Sequence, residues 1–582
     1  MTRSPGTLFD LLRKGVVALF MLALLCGMAL PLYSDEVGWR LQERAGLDGL
    51  DKLYAEQCGP NTLAVPPFFM WPVRWYSAFF NTLLPDPFWV RVSGVGYMLV
   101  WVWLVLRLIG RIGRDTAQRQ VMAIIALSLM GFGVLPLLLV WSRPEQPILL
   151  AITAALVIAA KGWRSPGNVF APFAGAAYAE GDDSPATAWR RSLAILALGI
   201  IALSYHFKAV LLIPAFAGAI MFASRGRRVM PIRVLAMVLL FAATAASWSY
   251  WTQRLACPND PIIAAAHAKE NLGGQMVSGD RSKLAILGDV IANYRPHKYV
   301  DMAAPTVKPM TFWLPHNRVS DEEMHGWQGG MAAIWALALA LGAVSLLAGL
   351  WNAWRHRVLP PEPVLALLLY GGASVWMVSQ LVRHAYESSF VLPLVMLSIV
   401  LGLAAPHNRP MLRQAGEVLS LAFAPLMALS LILVAGYYGT PLVQATRARG
   451  YIVANSQFWS VPLYGYGAVR DDLTALARQC HLPPPENASH VLIDDTTYFT
   501  YMRARLPQHH LAVTMGILSG TVQDPVAYLR AKHSSGILVG CHWLPAHLRE
   551  RAHTRGMYCC LTPADWDKPL PAPLTKPAPS TR

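Results

Sequence analysis

Of the 582 residues, 55% are hydrophobic and only 14% charged, with a mean hydropathy of +0.38, which is too apolar for a water-soluble chain of this length. The net charge of +16 sits mostly in short loops between apolar runs, without the basic and aromatic interleaving that would point to nucleic acid. The composition is that of an integral membrane protein.

A helix needs roughly 17–25 apolar residues to cross hydrocarbon, and the chain offers about eleven such runs. In order they are 16–33, 89–109, 121–141, 147–161, 192–205, 209–224, 232–250, 330–351, 362–382, 388–405 and 416–437. The first is too long, and lacks a small-residue cleavage site, for a removable signal peptide. Basic residues fall in alternate connections: Arg3, Arg13 and Lys14; Arg107, Arg111, Arg114 and Arg119; Lys161, Arg164, Arg190 and Arg191; Arg225, Arg227, Arg228 and Arg233; Arg355 and Arg357; Arg409 and Arg413. The positive-inside rule assigns these connections to the cytoplasm. Segments 34–88, 142–146, 251–329 and everything from about 438 onward then lie outside. The expected localisation is a bacterial inner membrane, with a cytoplasmic N-terminus and a periplasmic C-terminal domain.

Cysteine usage fits that side. Cys58, Cys257, Cys480, Cys541, Cys559 and Cys560 all fall in outer segments, as an oxidising compartment allows. Cys58 and Cys257 are candidates to join the first and third of these, with the four C-terminal cysteines as competing partners. No Cys-x-x-Cys or His-rich spacing supports a zinc site.

The outer segments carry chemistry at their edges. Asp35-Glu36 follows the first run directly, a place for either a reactive acidic pair or a solvated helix end. Residues 35–54 and 71–80 have the amphipathic and Trp-rich patterns of helices lying on a membrane surface. Arg143 and Glu145 stand between the third and fourth runs, His206 and Lys208 between the fifth and sixth, and Arg383, His384 and Tyr386 between the ninth and tenth. Lys208 and Arg383 oppose the positive-inside trend. Singly, each is also what a headgroup contact looks like; together with two acidic loops they suggest an anionic ligand such as a lipid phosphate. In the third segment, Asp321-Glu322-Glu323 is either part of an acceptor site or a capped helix start. Beyond 438, a helix at 469–480 precedes short buried strands at 490–495 and 536–540, an α/β pattern; Asp494-Asp495 is a ligand-binding pair or a turn cap. The Pro-rich tail from 568 and the stretch 175–185 read as disordered.

The order and sidedness of Tyr33-Ser34-Asp35-Glu36, the long first outer loop, Arg143-Pro144-Glu145, Lys208, and Arg383 with Tyr386 before Pro393 resemble the GT-C superfamily of membrane glycosyltransferases. These polyprenyl-phosphate-sugar-dependent enzymes include protein O-mannosyltransferases and the aminoarabinose transferases of lipid A. The resemblance covers roughly the first 400 residues. It implies a mainly α, polytopic transmembrane helical bundle (residues 1–437) with interfacial helices in its outer loops, including 34–88 and 251–329. A small C-terminal α/β periplasmic domain (438–567) and the tail (568–582) follow.

The implied activity is inverting transfer of a sugar from a polyprenyl-phosphate donor to an acceptor hydroxyl of a lipid, glycan or protein on the periplasmic face. Asp35 would be the base, with Glu36 its neighbour. Glu145 would match a second-loop acid that is usually Asp in relatives. Lys208 and Arg383 would face the donor phosphate, with Arg74, Arg143, His206, His384 and Tyr386 as further substrate-binding candidates. Asp35 and Glu145 leave room for a divalent cation, Mg or Mn, which hard carboxylate oxygens favour. The competing readings are a cell-surface polysaccharide polymerase or ligase, for which Asp35 would be dispensable, and a lipid or solute transporter, for which repeated halves and mid-membrane charges are expected.

Overall fold

In the computed structural model, the described residues are 5–32, 36, 86–163, 183–224, 226, 228–256, 282–292, 295, 297–301, 303, 320–356, 359–379, 387–406, 409–447, 452–454, 458–460, 463–501, 503–504, 508–509 and 525–567. Most of each apolar run of the sequence is helical within them. The helices are α1 (Pro5–Cys26), α2 (Pro87–Ile112), α3 (Thr116–Gly131), α4 (Leu135–Leu139), α5 (Glu145–Ala159), α6 (Pro185–Tyr205), α7 (Ile213–Phe222), α8 (Met230–Ala256), α9 (Lys283–Ala292), α10 (His297–Asp301), α11 (Asp321–Arg355), α12 (Pro361–Ser379), α13 (Ser388–Ala404) and α14 (Pro410–Arg447). Among the described residues six stretches are long and apolar enough to cross a membrane: Thr7–Ala29, Pro87–Ile112, Pro185–Tyr205, Met230–Ser249, His325–Arg355 and Pro410–Thr440. Glu145–Ala159, Lys208–Phe222 and Ser388–Ala404 are apolar but shorter. The chain is a membrane-embedded helical protein.

The short helices are the inner ones. Every residue of α13 is buried, and α5 is buried along most of its length. A helix apolar on all sides needs protein on all sides, and α13 has it, packed against α3, α5, α11 and α12. The expected single run 121–141 is broken. Gly133 takes φ +60, and a Cβ there would strike the Ala303 carbonyl oxygen, so only glycine fits. The Val134 N–H donates to that carbonyl at 2.9 Å, and the chain restarts as α4.

At the end of the bundle assigned to the cytoplasm, the basic loop residues close helix C-termini. Arg111 donates to the Val157 carbonyl near the end of α5, and Arg114 to those of Ala404 and Ala405 after α13. Arg191 reaches the Ala223 carbonyl at 2.8 Å, while Arg233 reaches Met221 and Gly226 at 2.8 Å and Ser224 at 3.0 Å, all around the end of α7. These are the carbonyls a helix leaves without a backbone partner, at its negative pole. The acidic cluster 321–323 proves to be a helix start: Ser320 caps α11, with Glu323 completing a reciprocal capping box.

After α14 come a two-stranded ribbon, β1 (Ile452–Ala454) with β2 (Phe458–Ser460), and helix α15 (Tyr466–Gln479). Then follow β3 (Leu492–Ile493), α16 (Asp495–Tyr501), β4 (Gln508–His509), α17 (Pro525–Ala531), β5 (Ile537–Gly540), α18 (Ala546–Arg549), β6 (His553–Arg555), β7 (Tyr558–Leu561) and α19 (Pro563–Trp566). One sheet has the order β4-β3-β5-β7-β6; its first three strands are parallel, and β7 is antiparallel to both β5 and β6. Alternate residues serve two cores. Ile493, Leu538, Tyr558 and Cys560 meet Leu473 and Leu476 of α15, whereas Leu492, Ile537, Val539, Cys559 and Leu561 meet Leu529, Leu548 and Trp566.

A disulfide ties each face: Cys480–Cys560 on the α15 side, with Cα atoms 6.1 Å apart, and Cys541–Cys559 on the other, at 4.8 Å. Asp494 is a turn cap. Its Oδ1 accepts the Thr496 and Thr497 N–H groups, each at 3.0 Å, and its Oδ2 accepts Gly540 N–H at 2.6 Å. This unit docks on the membrane bundle through Leu32 and Val90, a Tyr464 hydroxyl donating to the Met28 carbonyl at 3.1 Å, and an Arg470–Asp86 pair at 3.6 Å.

Candidate active site

The other end of the bundle collects buried charge in two linked clusters. The first forms where α1 gives out. A short turn, Gly27–Ala29, leads to Leu30 and Pro31, leaving backbone carbonyls exposed to the interior. Arg91, on the first turns of α2 behind the Asp86 N-cap, is fully buried and fills that gap. Its Nη1 donates to the carbonyls of Gly27 (2.7 Å) and Leu30 (3.1 Å), and its Nη2 to that of Pro31 (3.0 Å). The rest of the guanidinium fork holds Glu36, at 2.6 Å from Nη2 to Oε2 and 3.3 Å from Nε to Oε1. Glu36 Oε1 also accepts the Ser142 N–H at 2.8 Å, and the Ser142 hydroxyl lies 2.8 Å from that of Ser93. Gly94 lets the 140–142 backbone come this close, since a Cβ there would meet the Val140 carbonyl.

The second cluster continues from the same turn. Glu145 opens α5, where the helix N-terminus favours a carboxylate. Arg143 pairs with both its oxygens at 3.2 Å. Lys208 Nζ contacts Glu145 Oε1 and is held by both oxygens of Glu387, at 3.0 and 3.1 Å. The Trp376 indole N–H donates to Glu387 Oε2 at 2.7 Å, and its ring lies 4.5 Å below Lys208 Nζ. Glu145, Lys208 and Glu387 are each only 3% exposed, and Arg143 is 7% exposed.

His206 starts the short helical turn Phe207–Leu212, its Nδ1 accepting the Lys208 backbone N–H at 3.1 Å. Burial, reinforced by the Lys208 charge, lowers the His206 pKa to about 3, so the ring is neutral near pH 7. It acts as a cap, not as a charge.

Of the residues singled out in the sequence, Glu36, Arg143, Glu145, His206 and Lys208 thus converge through the 142–145 turn. Asp35, Arg74, Arg383, His384 and Tyr386, and the cysteines Cys58 and Cys257, lie outside the described residues. Three partners were not anticipated: Arg91, Trp376 and Glu387. Arg91 left a legible signal, a charge inside the apolar run 89–109.

No family model and no curated protein matches the chain. Among solved structures it is similar to the archaeal oligosaccharyltransferase AglB from Archaeoglobus fulgidus, in complex with an inhibitory peptide and a dolichol-phosphate. Identity is 10% and the TM-score 0.40, over 90% of this chain and 69% of that one. It is also similar to ArnT from Cupriavidus metallidurans bound to undecaprenyl phosphate, at 12% identity and TM-score 0.37, over 96% and 98% of the two chains. A second Archaeoglobus fulgidus oligosaccharyltransferase structure, a complex with Zn and sulfate, gives 9% and 0.36, over 90% and 68%. Likeness at this level assigns no activity.

Glu36 and Glu145 each have both oxygens engaged by cations. Among the described residues no three His, Cys, Asp or Glu side chains converge as a metal-ligand group, and Asp35, the other carboxylate considered for a divalent cation, lies outside them. What the site offers is a buried ammonium beside a guanidinium and an aromatic face, each cation already paired with carboxylate.

Proposed function

We propose that the chain is a membrane glycosyltransferase that moves a sugar from a polyprenyl-phosphate carrier to an acceptor hydroxyl on the periplasmic face of a bacterial inner membrane, inverting the anomeric centre. The observation that carries the reading is the Lys208 ammonium, buried at one end of the helical bundle with Arg143 within the same cluster. A glycosyl phosphate departs as an anion, so its transfer calls for fixed positive charge rather than for a proton donor. The acceptor oxygen attacks C1 as the bond from C1 to the phosphate oxygen breaks. The electron pair leaves on phosphate, facing Lys208, and the hydroxyl proton passes to a base.

That base is Asp35. Glu36, its covalent neighbour, is occupied by Arg91 and the Ser142 N–H, which supports a role for Glu36 as the anchor and for Asp35 as the group left to act. The two disulfides near the C-terminus support an oxidising compartment for the 438–567 domain, and so for the adjoining end of the bundle.

The test is transfer of labelled sugar from a polyprenyl-phosphate sugar to envelope acceptors by the purified protein. Wild type should transfer it, and Asp35→Asn should lose about 10²–10⁴ in rate, the range of a general base. Full activity in Asp35→Asn, or movement of an unaltered lipid across liposomes without transfer, would overturn the reading.

A further inference from the structure

Lys208 is described with its donors already taken. An ammonium has three N–H groups, and here they face one oxygen of Glu145 and both oxygens of Glu387, with the Trp376 ring beneath. Arg143 and Lys208 supply two positive charges, while Glu145 and Glu387 supply two negative ones. Among the described residues the cluster is neutral, and it is buried. A lipid phosphate reaching Lys208 would add uncompensated negative charge to a site that excludes water, an arrangement that is strongly unfavourable. One carboxylate has to give way.

The two are not held alike. Glu145 is bound by two cations and stands at the N-terminus of α5, which also favours its charge. Glu387 is bound by one cation and by the Trp376 N–H; it precedes α13 in a helical conformation and makes no capping bond with its side chain. We propose that Glu387 is a resident counter-anion of Lys208, occupying the phosphate position in the empty enzyme and exchanging with the donor phosphate when the lipid binds. This rests on the polyprenyl-phosphate reading above and adds the residue that sets its affinity. The carboxylate keeps the buried ammonium neutralised between turnovers, and the released product carrier, again a phosphate, is expelled as Glu387 returns.

The sign of the effect separates this from a structural role. If Glu387 merely positions Lys208, removing its charge weakens phosphate binding; if it competes, removal strengthens it. The test measures the Kd of the purified full-length protein for a polyprenyl phosphate and for the matching uncharged polyprenol. Glu387→Gln should bind the phosphate about tenfold tighter than wild type, since a hydrogen-bonded charge no longer has to be displaced, with no change for the polyprenol. Trp376→Phe keeps the ring under Lys208 but removes the N–H that holds Glu387, so it should tighten phosphate binding in the same direction. It carries the test alone if Glu387→Gln does not fold. Adding Lys208→Gln to either variant should abolish the gain.

Unchanged or weaker phosphate binding in the folded variants overturns the proposal. If wild type already prefers phosphate over polyprenol in a Lys208-dependent way, that failure belongs to Glu387 alone. If wild type shows no such preference, the polyprenyl-phosphate reading itself fails.

Discussion

Replacing Arg91 by methionine tests the first cluster where its energetics are sharpest. Arg91 and Glu36 are both fully buried, and the guanidinium makes two bonds to Glu36 and three to the carbonyls that end the first membrane helix. Arg91→Met would leave the Glu36 carboxylate buried without its guanidinium, and the Gly27, Leu30 and Pro31 carbonyls without this donor. Breaking a buried pair from one side costs about 3–5 kcal/mol. Glu36→Gln keeps an amide oxygen for Arg91 and Ser142, and should cost nearer the 1.5–3 kcal/mol of a charged hydrogen bond. The double variant Arg91→Met with Glu36→Gln removes both charges and should be more stable than Arg91→Met alone, because no uncompensated charge remains buried. Unfolding equilibria in mixed detergent micelles, run as a double-mutant cycle, measure these differences. A loss under about 1 kcal/mol in Arg91→Met, or strict additivity in the double variant, would refute the account of a buried and mutually dependent pair.

Two further outcomes follow from groups outside the membrane helices. The folded-state pKa of His206 is lowered from 6.5 to about 3, so as pH falls below 6.5 the unfolded chain takes up a proton that the folded one refuses. Stability from this group is therefore lost on acidification, by about 2 kcal/mol between pH 6.5 and pH 5, and His206→Gln should show a correspondingly shallower acid slope; superimposable pH curves would disprove it. The Cys541–Cys559 and Cys480–Cys560 bridges close loops of 18 and 80 residues. Peptides carrying these four cysteines should alkylate only after reduction, and replacing Cys541 and Cys559 together by serine should cost about 3 kcal/mol of stability.

The helical character of the apolar runs was legible from their length and composition, because a bilayer leaves the backbone few other choices; their number as spans was not, since among the described residues six of the eleven are long and apolar enough to cross. The break at Gly133 was not, since nothing within 121–141 announces a positive φ; it is imposed by the Ala303 carbonyl from a distant segment. The same distinction runs through the site. Glu145 and Lys208 stood out because charges at helix ends facing the proposed outside are conspicuous. Glu387 did not. It closes the string Arg383-His384-Ala385-Tyr386-Glu387 as an ordinary helix-start acid, and only the fold shows that its partner lies 179 residues earlier. Glu36 is a milder case: the sequence left it between a reactive acid and a solvated helix end, and only the fold shows its buried pairing with Arg91, 55 residues later. In the C-terminal unit, the parallel strands β3 and β5 were visible as short apolar runs bounded by turn residues. The β6–β7 hairpin was hidden in His553-Thr554-Arg555 and Tyr558-Cys559-Cys560-Leu561, whose pattern does not alternate because β7 is buried on both faces.

Charge at the two ends of the bundle obeys different rules, and the difference bears on function. At the end assigned to the cytoplasm, Arg111, Arg114, Arg191 and Arg233 are spent on helix-terminal carbonyls, so topology and capping together account for them. At the opposite end each cation within the described residues of the two clusters is buried against carboxylate: Arg91 on Glu36, Arg143 on Glu145, and Lys208 on Glu145 and Glu387. Capping alone would not require an acid for each base. If the acids existed only to let these bases fold into an apolar interior, a hydrophobic substitution of the whole set would serve stability as well or better. Retaining charged pairs so close together makes sense where one partner is to be exchanged for a charged substrate. Arg91 and Glu36, saturated by backbone groups, are poorly suited to that exchange. Lys208, whose partners include carboxylates at the start of two different helices, is suited to it, which is why the proposed phosphate-binding role is placed on the second cluster and the proposed anchoring role on the first.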